Sequence, residues 1–116
     1  MHKIRLAIPT QKQGGLEDVV SDVFGRAKTF SIIDIEDKKM EKVEVVENPA
    51  ASYKHGAGPI AVKTLIDKGV HTVLAAEFGP GVATLLDQFH VVMVEVKRGT
   101  RVIEVVKQFL KESDCE

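Results

Sequence analysis

The hydrophobic period of this chain changes once, near a glycine-rich loop at residue 55, and that change restricts the fold more than any other feature. Before the loop, apolar residues alternate or run together as they do in strands. Residues 3–8 alternate and then turn wholly apolar, which predicts a central strand stopped by Pro9. A polar loop over 10–15 follows. Leu16, Val19, Val20 and Val23 fall at helical spacing in a segment short enough to be a helical turn or an irregular loop. Residues 24–27 read as a turn, 29–36 as a β-branched strand, and 37–39 as a tight polar turn. Residues 40–46 then form a hairpin strand with one wet face, at a sheet edge. After the loop the period becomes helical. Ala57, Ala61, Val62, Leu65 and Ile66 share one face, and Gly69 closes the helix. Residues 70–76 read as a buried strand, and Gly79-Pro80-Gly81 opens a helix with the stripe Val82, Leu85, Leu86, Phe89. A strand over 91–96 precedes a last helix. Thr100 is its expected N-cap, Val102, Val105, Val106 and Phe109 its stripe, and 112–116 a polar, frayed tail.

This β-β-β-α-β-α-β-α order predicts an α/β fold with a mixed sheet. Strands 1, 4 and 5 are parallel and strand 2 antiparallel, which satisfies right-handed crossovers. The loop 10–15, the turn 24–26, the loop 55–58 and Gly79-Pro80-Gly81 then share the carboxyl edge of the parallel strands, where open α/β sheets bind ligands. The length of 116 residues suits one domain spanning 1–116. A net charge of −1 gives no electrostatic reason to expect nucleic acid or an anionic membrane. No apolar run approaches a membrane span, and the first residues lack a signal-peptide layout, so the expected compartment is the cytoplasm. A single cysteine, Cys115, excludes an internal disulfide framework.

The candidate residues sit on those loops. His55 can ligate a metal or hydrogen-bond an anion; a solvated loop histidine is the plainer alternative. Gly56 and Gly58 allow close backbone approach, and the free N–H groups of the helix that follows form a natural anion site. Arg26, beside Gly25, can pair with a carboxylate, a phosphate or a charged cluster, or simply bridge to Asp22. Gly79 and Gly81 can present helix N–H groups, or serve only as a turn, and lack the ending of a P-loop. Thr10 heads the first loop. Cys115 lies near the chain end, a poor place for a precise ligand. His2, His71 and His90 read as structural or solvated. Asp18, Asp22, Asp34 and Glu77 form no general acid–base pattern, so an enzyme is not expected.

With these motifs in view, the chain resembles the dinitrogenase iron–molybdenum cofactor biosynthesis family, as a small stand-alone member. The likeness is carried by residues 4–9, by 21–27 with Phe30, by Glu47-Asn48-Pro49 and by His55-Gly56-Ala57-Gly58-Pro59. Gly69-Val70, Gly79-Pro80 and Gly99-Thr100 extend it over nearly the whole chain. The resemblance implies a ribonuclease-H-like three-layer fold, with a five-stranded sheet in the order 3-2-1-4-5 and three helices. It also implies binding or carrying of an iron–sulfur or iron–molybdenum type cluster, without catalysis, in exchange with a cluster-donor or acceptor protein. His55 is then the metal ligand. Many relatives have a histidine before the Phe24-Gly25-Arg26 turn, where this chain has Val23. The alternative is a small-anion or nucleotide-binding regulatory module at the same edge, without metal.

Overall fold

In the computed structural model, residues 3–113 are described; His2 and Cys115 lie outside them. Five strands, β1 (Lys3–Thr10), β2 (Thr29–Glu36), β3 (Lys39–Glu47), β4 (Thr72–Ala75) and β5 (Val92–Glu95), form one sheet in the order β3-β2-β1-β4-β5. β1 and β3 run antiparallel to β2, while β4 and β5 are parallel to β1. The helices are α1 (Ala57–Asp67), α2 (Pro80–Gln88) and α3 (Val102–Ser113). The expected mixed sheet, its strand order and its three helices are all present.

Two separate cores explain the wholly apolar run in β1. Ala7, Phe24, Phe30, Ile32, Ala61, Val62, Leu65, Val73 and Leu86 pack on the α1/α2 face. Leu6, Ile8, Ile33, Ile35, Leu74, Val102, Val105 and Val106 pack on the α3 face. A central strand covered on both faces cannot alternate apolar with polar. The α3 stripe is therefore placed as its spacing predicts, with Phe109 partly buried at its end.

Some expectations are corrected. Pro9 does not stop β1, which continues to Thr10 opposite Thr29. The Pro9 carbonyl accepts the Ser21 N–H at 2.8 Å, on the side away from β2. The missing proline N–H points to that same side, beyond the short pairing of β1 with β4, so no ladder bond is lost. Residues 11–28 form an irregular loop rather than a helical turn. The buried Asp18 organises it, its carboxylate accepting the N–H groups of Lys12, Gly14 and Val19 at 2.7–2.8 Å. Thr100 is not the N-cap of α3, because the helix begins at Val102 and Arg101 holds that place. The first free N–H groups of α3, on Val102 and Ile103, instead donate to the carbonyls of Asp18 and Leu16. Phe89 leaves the α2 stripe: the helix ends at Gln88, and the ring is 55% exposed.

α1 and α2 close alike. After α1, the Gly69 N–H donates to Ile66 and the Val70 N–H to Leu65, with Gly69 at φ 73°. After α2, the His90 N–H donates to Asp87 and the Val91 N–H to Leu86, with His90 at φ 60°. This is the Schellman arrangement, whose left-handed residue favours glycine. Histidine there pays the left-handed penalty, offset in part by its lower freedom in the unfolded chain. His90→Gly is expected to stabilise the protein by about 0.5–1 kcal/mol, read as a rise in thermal midpoint of about 2–5 °C. An unchanged or lower midpoint would contradict this account.

Below the sheet, at the amino ends of the parallel strands, Arg5 braces three elements. It pairs with Asp34 (Nε to Oδ1, 2.7 Å) and donates to the Lys68 carbonyl at 2.6 Å. The hydrogen bond to Asp34 raises the Arg5 pKa further above its ordinary value. Lys68 in turn holds the Glu44 carboxyl below the usual carboxylate range. These groups stand at the end of the sheet opposite the candidate site.

Candidate functional site

The carboxyl edge carries a cleft of about 300 Å³ between the turn 24–26, the loop 54–56 and the starts of α1 and α2. Its floor is Phe24, buried and packed against Phe30 (5.5 Å between ring centres) and Phe78 (6.3 Å). One wall is Gly25-Arg26. The other is Gly56-Ala57-Gly58 with Gly79 and Val82.

Close packing of backbone on backbone shapes the cleft. A side-chain carbon on Gly25 would stand 3.0 Å from the Gly58 nitrogen and 3.2 Å from its Cα, so only glycine lets the turn approach α1. Asn48 fixes the turn from below. Its side-chain NH₂ donates to the carbonyls of Gly25 (2.9 Å) and Ala27 (2.8 Å), while its Oδ1 accepts the Ala50 N–H at 3.0 Å.

The helix ends supply polarity. α1 starts after Gly56, at φ 72°, and α2 after Gly79; neither start has a side-chain cap. The positive ends of two helix dipoles therefore lie at the cleft, with free N–H groups at the start of α1, while α2 opens on Pro80, which has no N–H. α3 differs, since loop carbonyls already bond its first N–H groups.

Two cations, Arg26 and Lys54, stand at the cleft beside the imidazole of His55. Arg26, Lys54 and His55 line it, all exposed and all without an ion pair or side-chain hydrogen bond to other described residues. The bridge from Arg26 to Asp22 is not formed. Glu77 is the one carboxylate in the lining. A full metal-ligand set is not assembled, because no group of three or more His, Cys, Asp or Glu side chains suited to a metal occurs among the described residues.

Of the residues picked out from the sequence, Gly25, Arg26, His55, Gly56, Gly58 and Gly79 are brought together here. Thr10 and Gly81 stand apart. Thr10 is fully buried, its hydroxyl bonded among Thr29 and Ser31 at the end of β1. Gly81 is exposed on α2, with nothing near the place of a side chain. The loop 10–15 borders a separate depression of about 350 Å³, with Lys12, Lys28 and Glu47. Lys54 was not singled out by sequence reasoning, and Asn48 entered it only within the Glu47-Asn48-Pro49 motif, with no role. Lys54 was legible only as the cation next to His55, and nothing local to Asn48 showed which carbonyls its side chain holds.

The dinitrogenase iron-molybdenum cofactor family matches residues 3–112. MJ0580 of Methanocaldococcus jannaschii is 27% identical over 92 residues, covering 79% of this chain and 77% of that protein. The apo form of the orange protein from Desulfovibrio gigas superposes with a TM-score of 0.84 at 29% identity, covering 96% of this chain and 90% of that one. TM1290 from Thermotoga, described as NifB-like, superposes with a TM-score of 0.74 at 34% identity, covering 94% and 88%. With the match running over nearly its whole length, this chain belongs to the dinitrogenase iron-molybdenum cofactor family.

Proposed function

We propose that this chain binds and carries an anionic metal–sulfur cluster, of iron–sulfur or iron–molybdenum type, in the cleft at the carboxyl edge, without catalysing a reaction. The observation that carries this reading is the convergence of Arg26, Lys54 and His55 on two helix starts without side-chain caps. Sulfide-rich clusters are anions, and free backbone N–H groups and cations are what such an anion recruits. His55 is the one imidazole in the cleft and supplies its direct metal bond. Arg26 and the N–H groups beside Gly56 and Gly58 donate hydrogen bonds to the sulfides. With one protein ligand in place of a full set, the cargo is held by charge more than by coordination. It is therefore exchangeable with a donor or acceptor protein, in the cytoplasm.

The sheet order fits a ribonuclease-H-like assignment, which supports reading the chain as one domain. β1, however, contains no Asp or Glu, so the carboxylate-held Mg²⁺ of a nuclease has no anchor there. The two helix starts also favour a second reading, a small-anion or nucleotide-binding module without metal.

Anaerobic titration with a preformed iron–sulfur or thiomolybdate cluster, followed by visible absorption, separates the two. Uptake of about one cluster per chain is expected. His55→Ala should weaken it about tenfold, or about 1.4 kcal/mol, through loss of the one direct bond from the protein to the metal. A wild-type protein that stays colourless, yet gains thermal stability from inorganic phosphate, would overturn the carrier in favour of the anion module.

A further inference from the structure

The two edges of the sheet are built differently. β3, the longer edge, carries Lys39, Glu41, Lys42, Glu44 and Glu47, and its pairing with β2 shifts register at Asp34/Ile35. Charges and irregular register are how sheets block edge-to-edge pairing. β5 has neither. It reads Val92-Met93-Val94-Glu95 and pairs regularly with β4 on one side, while among the described residues its other side has no strand. Val92 is 56% exposed. Beside it runs a depression of about 570 Å³ between β5 and α3, lined in part by Val94, Val96, Val105 and Phe109. A single helix covers this face of the sheet, and the strip Val92, Val94, Val96 lies at its margin.

We infer that β5 is a self-association edge, pairing antiparallel with β5 of a second copy across a two-fold axis at Val94. The backbone sets which groups are free. The N–H groups of Val92 and Val96 donate to His71 and Ala75, so even-numbered residues face β4. Met93 and Glu95 therefore point their N–H and C=O groups outward. Centred on Val94, each Met93 stands opposite the partner's Glu95, and four backbone hydrogen bonds use every outward group of both strands. Val94 then meets the partner's Val94, and Val92 meets the partner's Val96, in the close non-hydrogen-bonded pairs, so the apolar strip runs unbroken across the axis. Centring on Glu95 would set two carboxylates face to face, which disfavours that register. Two-fold closure leaves no strand edge of β5 open, as a self-complementary interface requires.

The consequence for the cleft is geometric. Because the partner strand runs the opposite way, the two cationic clefts sit at opposite ends of a ten-stranded sheet. Each copy then loads and unloads its own cargo.

Sedimentation from about 10 μM to about 1 mM spans the range in which an interface of this small class dissociates. The wild-type mass should rise from 12.7 kDa towards about twice that value. Val92→Lys places a charge in the strip, and Glu95→Pro removes one outward N–H without touching the bonds to β4. Both should stay monomeric with unchanged circular dichroism. A Cys115→Ser chain carrying Val94→Cys should cross-link to a covalent dimer under mild oxidation, which tests the register even where the other variants fold poorly. A wild type that remains monomeric throughout overturns the inference. So does a dimer that survives both variants, or one lost on Val43→Lys in β3 instead.

Discussion

Asn48→Asp is expected to lower stability by about 3–5 kcal/mol, although the two side chains are nearly the same size. Asn48 is buried, and its NH₂ group gives one proton to the Gly25 carbonyl and one to the Ala27 carbonyl. Aspartate would put an ionised oxygen against two carbonyl oxygens and leave all three acceptors without a donor. Such a site charges both for repulsion and for desolvating an unpaired anion. Asn48→Ala removes the repulsion but also abandons the Ala50 N–H, so its expected cost is about 2–4 kcal/mol. For a domain of this length, 3 kcal/mol corresponds to a fall of about 10–15 °C in the thermal midpoint. Urea melts of the three proteins check it. The order wild type, alanine, aspartate in falling stability supports the clamp. A loss below about 1 kcal/mol in both variants would remove Asn48 from this role. Because the clamp holds the carbonyls on both sides of Arg26, cluster uptake should weaken in whichever variant remains folded.

Asn48 also marks the limit of what the sequence discloses. The β-branched runs, the alternation of Val43 and Val45 with Lys42 and Glu44, and the Ala61–Leu65 stripe are local patterns. Each maps onto an element of the fold through its own period. The parallel and antiparallel directions of the strands were consistent with crossover handedness, while their order, 3-2-1-4-5, was implied by the family resemblance. The loop 11–15 and the turn 24–27 were readable, but the choice between a helical turn and an irregular loop over 16–23 was not, because long-range bonds hold it: Asp18 with three N–H groups, Val20 with Thr100 and Gly99, Leu16 with Ile103. Those same bonds cap α3 with carbonyls, which is why Thr100 was misread as the cap. Strand ends at Pro9 and Thr10 depended on which neighbour each carbonyl faces, a property of the sheet rather than of the residue. For the candidate site, the glycine loops and His55 were readable as motifs. Thr10 is kept from the cleft by its bonds to Thr29 and Ser31, and the place of Arg26 depends on where the turn 24–27 is pinned. Its pin is one amide side chain more than 20 residues away in sequence.

Gly25→Ala tests how much of the cleft rests on backbone contact. The added carbon would meet Gly58 N at 3.0 Å, Gly58 Cα at 3.2 Å and the Ala57 carbonyl carbon at 3.4 Å. None of these atoms can rotate aside, so the turn must withdraw from α1 by a few tenths of an ångström. Overpacking of this kind costs about 1–3 kcal/mol. Gly58→Ala provides the contrast. Its new carbon would come within 2.9 Å of Val82 Cγ2, a side-chain methyl that can be trimmed. Adding Val82→Ala should therefore restore the Gly58→Ala cleft, and alanine within α1 has the better helix propensity. Val82→Ala should do nothing for Gly25→Ala, whose obstacle is main chain. The readout is cluster or phosphate affinity measured alongside the urea midpoint. Gly25→Ala is expected to lose at least about tenfold in affinity, because Arg26 moves away from the helix start that shares its ligand. The Gly58→Ala/Val82→Ala pair is expected to bind within about threefold of wild type. If Gly25→Ala binds like wild type while remaining folded, the approach of turn to helix shapes the fold but not the site, and Arg26 acts independently of the α1 N-terminus.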